Sequence, residues 1–187
     1  MKPVTRFCIE LPDWVVDWWQ AQPDCLGDSD SRMAAAIWLA DENARRKTGG
    51  PFGALVVEET SGRLIAPGVN RVEPGHCSSA HGEIVALSLA QQRLGRHSLK
   101  SDPPLQLVTS CEPCAMCLGA IPWSGVSSVL CGATKADAEE TGFDEGERVP
   151  DWEGVLARRG ISVETGLLRE RARQVLLAYA RSGGSIY

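Results

Sequence analysis

Two short motifs restrict this chain more than anything else in it: His81-Gly82-Glu83 and, further on, Pro113-Cys114-Ala115-Met116-Cys117. Each stands where a helix is predicted to open. Apolar periodicity places one helix from about Ala80 to Leu94 and another over Cys114–Trp123, with Leu105–Ser110 between them as a buried strand. Any fold for this chain must therefore carry reactive side chains at two successive helix openings, joined through the core by one strand.

The residue types point to a metal. Zinc takes imidazole nitrogen and thiolate sulfur, and a catalytic zinc keeps three protein ligands with a fourth position for water. Cys114 and Cys117, three apart, project from one helix face, and His81 supplies the third ligand. Pro113 suits a first-turn position, where its missing N–H is not needed. The positive end of the helix favours the thiolate form. Glu83 need not share the metal and is the candidate proton carrier between an activated water and a leaving group. Other readings stay open: a redox Cys-x-x-Cys pair, or a structural zinc with His76 or Cys77 as fourth ligand. In the structural case Glu83 has no purpose. His-x-Glu paired with Pro-Cys-x-x-Cys is the described signature of zinc deaminases.

Around these motifs the chain alternates strands and helices. A helix capped by Asp30 or Ser31 buries Met33, Ile37, Ala40 and Ala44, and ends before Gly49-Gly50-Pro51. Gly53–Glu59 and Arg63–Val69 read as a hairpin, Ser127–Cys131 and Ile161–Glu164 as strands, and Lys135–Glu140 and Leu167–Ala180 as helices. In the last helix Leu168, Ala172, Val175, Leu176 and Tyr179 face inward. This order predicts an α/β fold, a three-layer α/β/α sandwich around a central mixed five-stranded sheet. Residues 1–29, with Trp14, Trp18 and Trp19 near helical spacing, read as an appended segment before a domain over 30–187. The charge-rich stretch 143–154 reads as a long solvated loop.

Composition narrows the function classes. At 187 residues, 43% hydrophobic and 23% charged, the chain is an ordinary globular domain. Its longest apolar run, Met33–Ala40, is far short of the roughly 20 residues that span a bilayer. With no export pattern at the start, the expected location is cytoplasmic. Seven cysteines then read as reduced thiols, five of them plain small hydrophobes or surface thiols. A net charge of −5 disfavours a nucleic-acid surface.

From about residue 30 onward the chain resembles the cytidine deaminase superfamily, and most closely its bacterial guanine deaminase branch. The resemblance lies in Gly49-Gly50-Pro51-Phe52-Gly53-Ala54, Gly68-Val69-Asn70, His81-Gly82-Glu83, Thr109-Ser110-Cys111-Glu112-Pro113-Cys114-Ala115-Met116-Cys117 and Gly142-Phe143-Asp144-Glu145. It implies the superfamily fold, a homodimer, and hydrolysis of guanine to xanthine and ammonia, with the triazine ammeline as a further substrate of a similar subgroup. It implies zinc on His81, Cys114 and Cys117, with Glu83 as the proton shuttle. Asn70 matches an asparagine that hydrogen-bonds the base. Glu145 matches a second carboxylate, on the amidine-like edge, within the Gly-Phe-Asp-acid motif that also holds Asp144. Phe52, Trp123 and Phe143 match aromatic residues of the base pocket, and Tyr187 a terminal tyrosine that reaches a partner's site through a swapped tail in some members. One departure stands out: Gly82 replaces the usual Ala or Val, leaving that first turn either looser or more closely packed.

Beside these roles stand plainer ones. Asp144 and Glu145 could be charges of a solvated loop, Asn70 a turn residue, and the aromatics core residues. The competing functions are deamination of tRNA adenosine, which predicts a basic groove, and a non-catalytic zinc module, which leaves Glu83 unexplained. Guanosine, cytosine and other aminopurines remain alternative small heterocyclic substrates.

Overall fold

The computed structural model describes residues 3–186. Helices α1 (Asp13–Ala21) and α2 (Ser29–Arg45) precede a hairpin of β1 (Gly53–Glu58) and β2 (Leu64–Val69). There follow α3 (Gly82–Leu94), β3 (Leu105–Cys111), α4 (Ala115–Ser124), β4 (Ser128–Ala133) and α5 (Lys135–Glu140). The chain closes with α6 (Trp152–Ala157), β5 (Ser162–Glu164) and α7 (Arg169–Arg181). The sheet order is β2-β1-β3-β4-β5, with β1 antiparallel to both neighbours and β3, β4 and β5 parallel. This is the mixed five-stranded α/β arrangement that the alternation of elements predicted.

Every residue of β1, β2, β3 and β4 is buried, so the sheet is covered on both faces. Successive side chains divide between two cores, as strand geometry requires. Leu55 and Val57 pack with Val108, Leu130 and the α2 and α7 residues Met33, Ile37 and Leu176. Ala54 and Val56 pack with Leu107, Val129 and the α3 and α4 residues Ala86, Leu87, Ala90 and Ile121. Close approach of α3 to β2 depends on Gly68, where a Cβ would lie 2.5 Å from the Ala86 nitrogen and 2.8 Å from its Cβ. The edge strand β5 is only three residues long and mostly exposed, which blunts an otherwise open edge.

Three local expectations are corrected. The cap of α2 is Asp28, whose carboxylate accepts from the Ser31 N–H at 2.9 Å, and not Asp30 or Ser31. All four residues of Asp28-Ser29-Asp30-Ser31 can cap, and the one still in extended backbone just before the first helical residue takes the role. Pro113 lies outside α4, because Cys114 is itself the cap residue, with extended backbone at φ −64° and ψ 171°. The stretch 143–154 is not simply a solvated loop: Phe143, Glu145 and Trp152 are buried, and Trp152 opens the unexpected helix α6. Upstream, α1 sends Val15 into the core beside α2, and Trp18 stacks on Trp38 with ring centroids 5.6 Å apart.

Candidate metal centre and active-site cleft

β3 ends at Cys111, and the chain turns through Glu112 and Pro113 into α4 at the carboxyl end of the parallel strands. His81 caps α3, so both reactive motifs sit at helix openings on this end of the sheet. The two openings meet. One ligand atom each from His81, Cys114 and Cys117 lies within 4.8 Å of the others, and the Cys114 Sγ is 3.5 Å from the His81 Nδ1. Among the described residues this is the only group of three or more such side chains close enough to hold an ion.

Gly82 resolves the question of the first turn in favour of close packing. A Cβ there would sit 3.3 Å from the Phe52 carbonyl oxygen, tighter than most side chains tolerate without a small shift.

The electrostatics favour a cation. Hydrogen bonding from the Cys117 thiol, with the His81 imidazole, outweighs burial and brings the Cys114 thiol down to about 4. The Cys117 thiol is pushed up by that same bond and by burial, so the pair shares one proton until a metal displaces it. Burial disfavours a charged His81, but Cys114 and the charges of Glu83 and Glu145 outweigh it and raise its pKa. An imidazole and two thiols, buried or nearly so, with three protein donors and no fourth, fit zinc with an open position.

Two carboxyls stand beside this group. Glu83, in the first turn of α3 and 7% exposed, is raised to about 6 by burial and then by the charge on Cys114. Glu145, 6% exposed, is raised to about 8 by burial, then by Cys114 and Glu83. Carboxyls pushed to different pKa values in one cleft can divide acid and base work between them. A divalent cation held by the thiols would draw both back down.

The cleft itself is narrow, about 330 Å³ including its open mouth, and brings together Phe52, His81, Glu83, Cys114, Phe143, Asp144 and Glu145. Phe52 meets Phe143 edge to face at 4.8 Å, and Phe143 stacks on Tyr179 at 6.0 Å. Asp144 is exposed at the rim, its carboxylate accepting from the Gly146 N–H at 2.9 Å. Glu112 also lines the cleft and was not among the expected site residues. Its partner Arg148 stands 36 positions away, a pairing that no local spacing announces.

Other expected residues are elsewhere. Asn70 is buried but does not line the cleft; its amide oxygen accepts from the N–H groups of Val72 at 3.2 Å and Gly50 at 3.4 Å. Trp123 is 80% exposed and lies along a surface groove with Leu118 and Pro122. The inward face of α4 is Cys117, Ile121 and Ser124, and a residue two positions after Ile121 points about 200° away from it. Tyr187 lies outside the described residues.

Residues 28–133 match the family model described as the cytidine and deoxycytidylate deaminase zinc-binding region. The chain is 43% identical over 113 residues to the guanine deaminase of Bacillus subtilis (strain 168), covering 60% of this chain and 69% of that one. It is similar in structure to the guanine deaminase from Nitrosomonas europaea, with 46% identity and a TM-score of 0.90 over 97% of this chain and all of that one. A variant of the protein NE0047 in complex with 8-azaguanine aligns with a TM-score of 0.91 at 46% identity, over 97% of this chain and 100% of that one.

Proposed function

We propose, because the chain belongs to the cytidine and deoxycytidylate deaminase family, that it hydrolyses guanine to xanthine and ammonia. One observation carries the reading. The zinc-type donor set His81, Cys114 and Cys117 shares a narrow cleft with two buried carboxyls between aromatic walls. Relatives named as guanine deaminases, and a structural neighbour in complex with 8-azaguanine, support the choice of base.

Held by His81, Cys114 and Cys117, zinc supplies a Lewis acid that makes water nucleophilic near neutral pH. Glu83 takes a proton from the attacking water as its oxygen bonds to the amino-bearing ring carbon, and passes that proton to the adjacent ring nitrogen. The hydroxyl now on that carbon gives its proton, through a carboxyl of the cleft, to the amino group; the carbon–nitrogen bond breaks, and ammonia leaves with a ring carbonyl in its place. Glu145 faces the N1–H and amino edge of guanine, where a carboxyl can accept hydrogen bonds and assist the second transfer. Phe52 and Phe143 enclose the ring plane, while Asp144 stands at the mouth. Asn70 is the proposed contact for the remaining purine edge, which its side chain reaches by turning from the Gly50 and Val72 N–H groups that its amide oxygen accepts from.

The active unit is proposed to be a homodimer. Trp123, Val149 and Met116 are exposed, at 80%, 51% and 38%, and the first two border a groove of about 640 Å³ that a second copy could cover. A role for Tyr187 at a partner's cleft belongs to the same proposal. Among the described residues no helix is long and apolar enough to cross a membrane.

The deciding experiment is ammonia release from purified protein against guanine, guanosine, ammeline, cytosine, cytidine, adenine and adenosine-bearing tRNA. Release from guanine, with guanosine and tRNA inert, is expected. Release only from another member keeps the zinc chemistry and overturns the substrate.

A further inference from the structure

Glu145 sits on a segment with little apolar anchorage of its own. Of residues 144–150 only Glu145 is buried, and Asp144, Gly146, Glu147, Val149 and Pro150 are exposed. A carboxyl with this much solvent around its neighbours keeps one position only if the chain is fastened on both sides. On one side the anchor is Phe143, packed between Phe52 and Tyr179. On the other it is Arg148. Its Nη2 donates to the Glu112 Oε2 at 2.7 Å and its Nη1 to the Pro113 carbonyl at 3.3 Å, while the guanidinium lies 4.6 Å over the Trp152 ring.

Both members of the ion pair are withdrawn from solvent, with side chains 11% and 9% exposed. Glu112 is itself fixed, because its Oε2 also accepts from the Lys135 N–H at 3.1 Å and its own N–H donates to Ala133 at 2.8 Å. The pair therefore joins the acidic segment to the rigid turn that delivers Cys114. Between the two anchors, the Ala115 N–H donates to the Glu145 carbonyl at 3.0 Å and the Lys135 ammonium donates to the Gly146 carbonyl at 2.9 Å.

We propose that Arg148 is a positioning residue, which holds the Glu145 carboxyl against the substrate by tying residues 143–148 to the Glu112-Pro113 turn. The inference rests on the guanine deamination reading for its kinetic consequences, though not for the tether itself. Arginine is the suitable residue, since a planar fork can reach a carboxylate and a carbonyl while stacking on an indole. Lysine offers a point charge without that geometry.

The test is Arg148→Ala, with Arg148→Lys and the double variant Arg148→Ala/Glu145→Gln. Each is measured for kcat and KM in ammonia release, for zinc per chain and for amide deuterium exchange over residues 143–149. Displacement by about 1 Å lowers turnover on the order of 100-fold, so Arg148→Ala should lose kcat to that extent with KM little changed and zinc retained. Added guanidinium ion should restore part of the rate, Arg148→Lys should fall between, and the double variant should be no slower than Glu145→Gln alone. Exchange over 143–149 should quicken. Turnover within about threefold of wild type, losses that multiply in the double variant, loss of zinc, or unchanged exchange would each overturn the proposal. Wild-type protein that releases no ammonia from guanine would refute the substrate reading alone. The exchange comparison then decides the tether by itself: quicker exchange upholds it and unchanged exchange overturns it.

Discussion

Replacing Gly68 with alanine adds one methyl group in the middle of β2, and the structure says where the strain must go. The new Cβ would lie 2.5 Å from the Ala86 nitrogen and 2.8 Å from the Ala86 Cβ, and would also strike the Gly82 carbonyl oxygen. Two of those atoms are α3 backbone, so no side chain can swing aside to relieve the clash. Ordinary contact needs about 3.5 Å, which requires α3 to back away from β2 by about 1 Å. Overpacking of this kind costs about 1–3 kcal/mol. For a chain of this size that is roughly 2–12 °C in Tm. The helix that moves carries His81 and Glu83 on its first turn, so a 1 Å retreat should also cost on the order of 100-fold in kcat. Gly82→Ala is the internal control. Its Cβ meets the Phe52 carbonyl at 3.3 Å, a shift of a few tenths of an ångström suffices, and helix propensity gains up to about 1 kcal/mol. Thermal unfolding and ammonia release on both variants, each with its zinc content measured, form the assay. A Gly68→Ala protein with wild-type Tm and turnover would refute the claim that the α3–β2 approach sets the site. So would a Gly82→Ala protein as damaged as Gly68→Ala.

Glu83→Gln should keep a full complement of zinc while turnover falls by about 10²–10⁴-fold, as expected for loss of a proton carrier; metal analysis beside a rate assay checks both halves. Removing the metal with a chelator should abolish ammonia release and lower Tm, since ligand binding stabilises the folded state, and added zinc should restore both. Asp137 gives a pH-dependent prediction. The Arg169 guanidinium, bonded at 2.8 and 2.9 Å, with the Thr134 N–H and hydroxyl, holds its carboxyl well below the usual carboxylate range. The stabilisation is therefore present above the unfolded-state value of about 3.9 and is lost as pH falls toward the lower folded-state value. Asp137→Asn should cost about 1–2 kcal/mol at pH 7, discounted for the half-exposed guanidinium. Its Tm deficit should shrink steadily as melts are repeated from pH 7 down to about pH 2, and a deficit unchanged over that range would refute the assignment.

The sheet and its covering helices were legible because burial on both faces leaves a simple trace. β1 and β3 are apolar runs bounded by turn residues, and α3 and α7 show periodic apolar faces closed by Gly95 or by polar residues. Local chemistry made the metal group legible too. Both ligand-bearing motifs sit within one turn of a helix opening, so spacing alone set their geometry once the intervening strand was placed. Even the error at Pro113 is small, one position at a cap, because extended backbone at Cys114 satisfies the same helix start. Trp123 stands away from the cleft for a different reason. Its match to a family aromatic says nothing about which face of α4 it occupies, whereas the burial of Cys117 and Ile121 turns it outward.

The acidic segment after α5 was the least legible part, and its physics explains why. Charged residues in a run ordinarily stay solvated, and nothing within 143–150 contradicts that locally. What buries Glu145 comes from far along the chain: Phe52 packing on Phe143, Glu112 holding Arg148, and the first amide of α4 binding the Glu145 carbonyl. Only Pro150-Asp151 followed by Trp152 and Glu153 carried a local signal, that of a helix start, and it marks α6 rather than the cleft. A catalytic carboxyl raised toward neutrality must be withdrawn from water by neighbours it does not adjoin in sequence. Where long-range contacts set both position and proton affinity, the sequence can name Glu145 as a candidate, but its burial is a property of the fold. Glu83 differs because its burial follows from its own helix, two positions from His81 on a face already packed against the sheet.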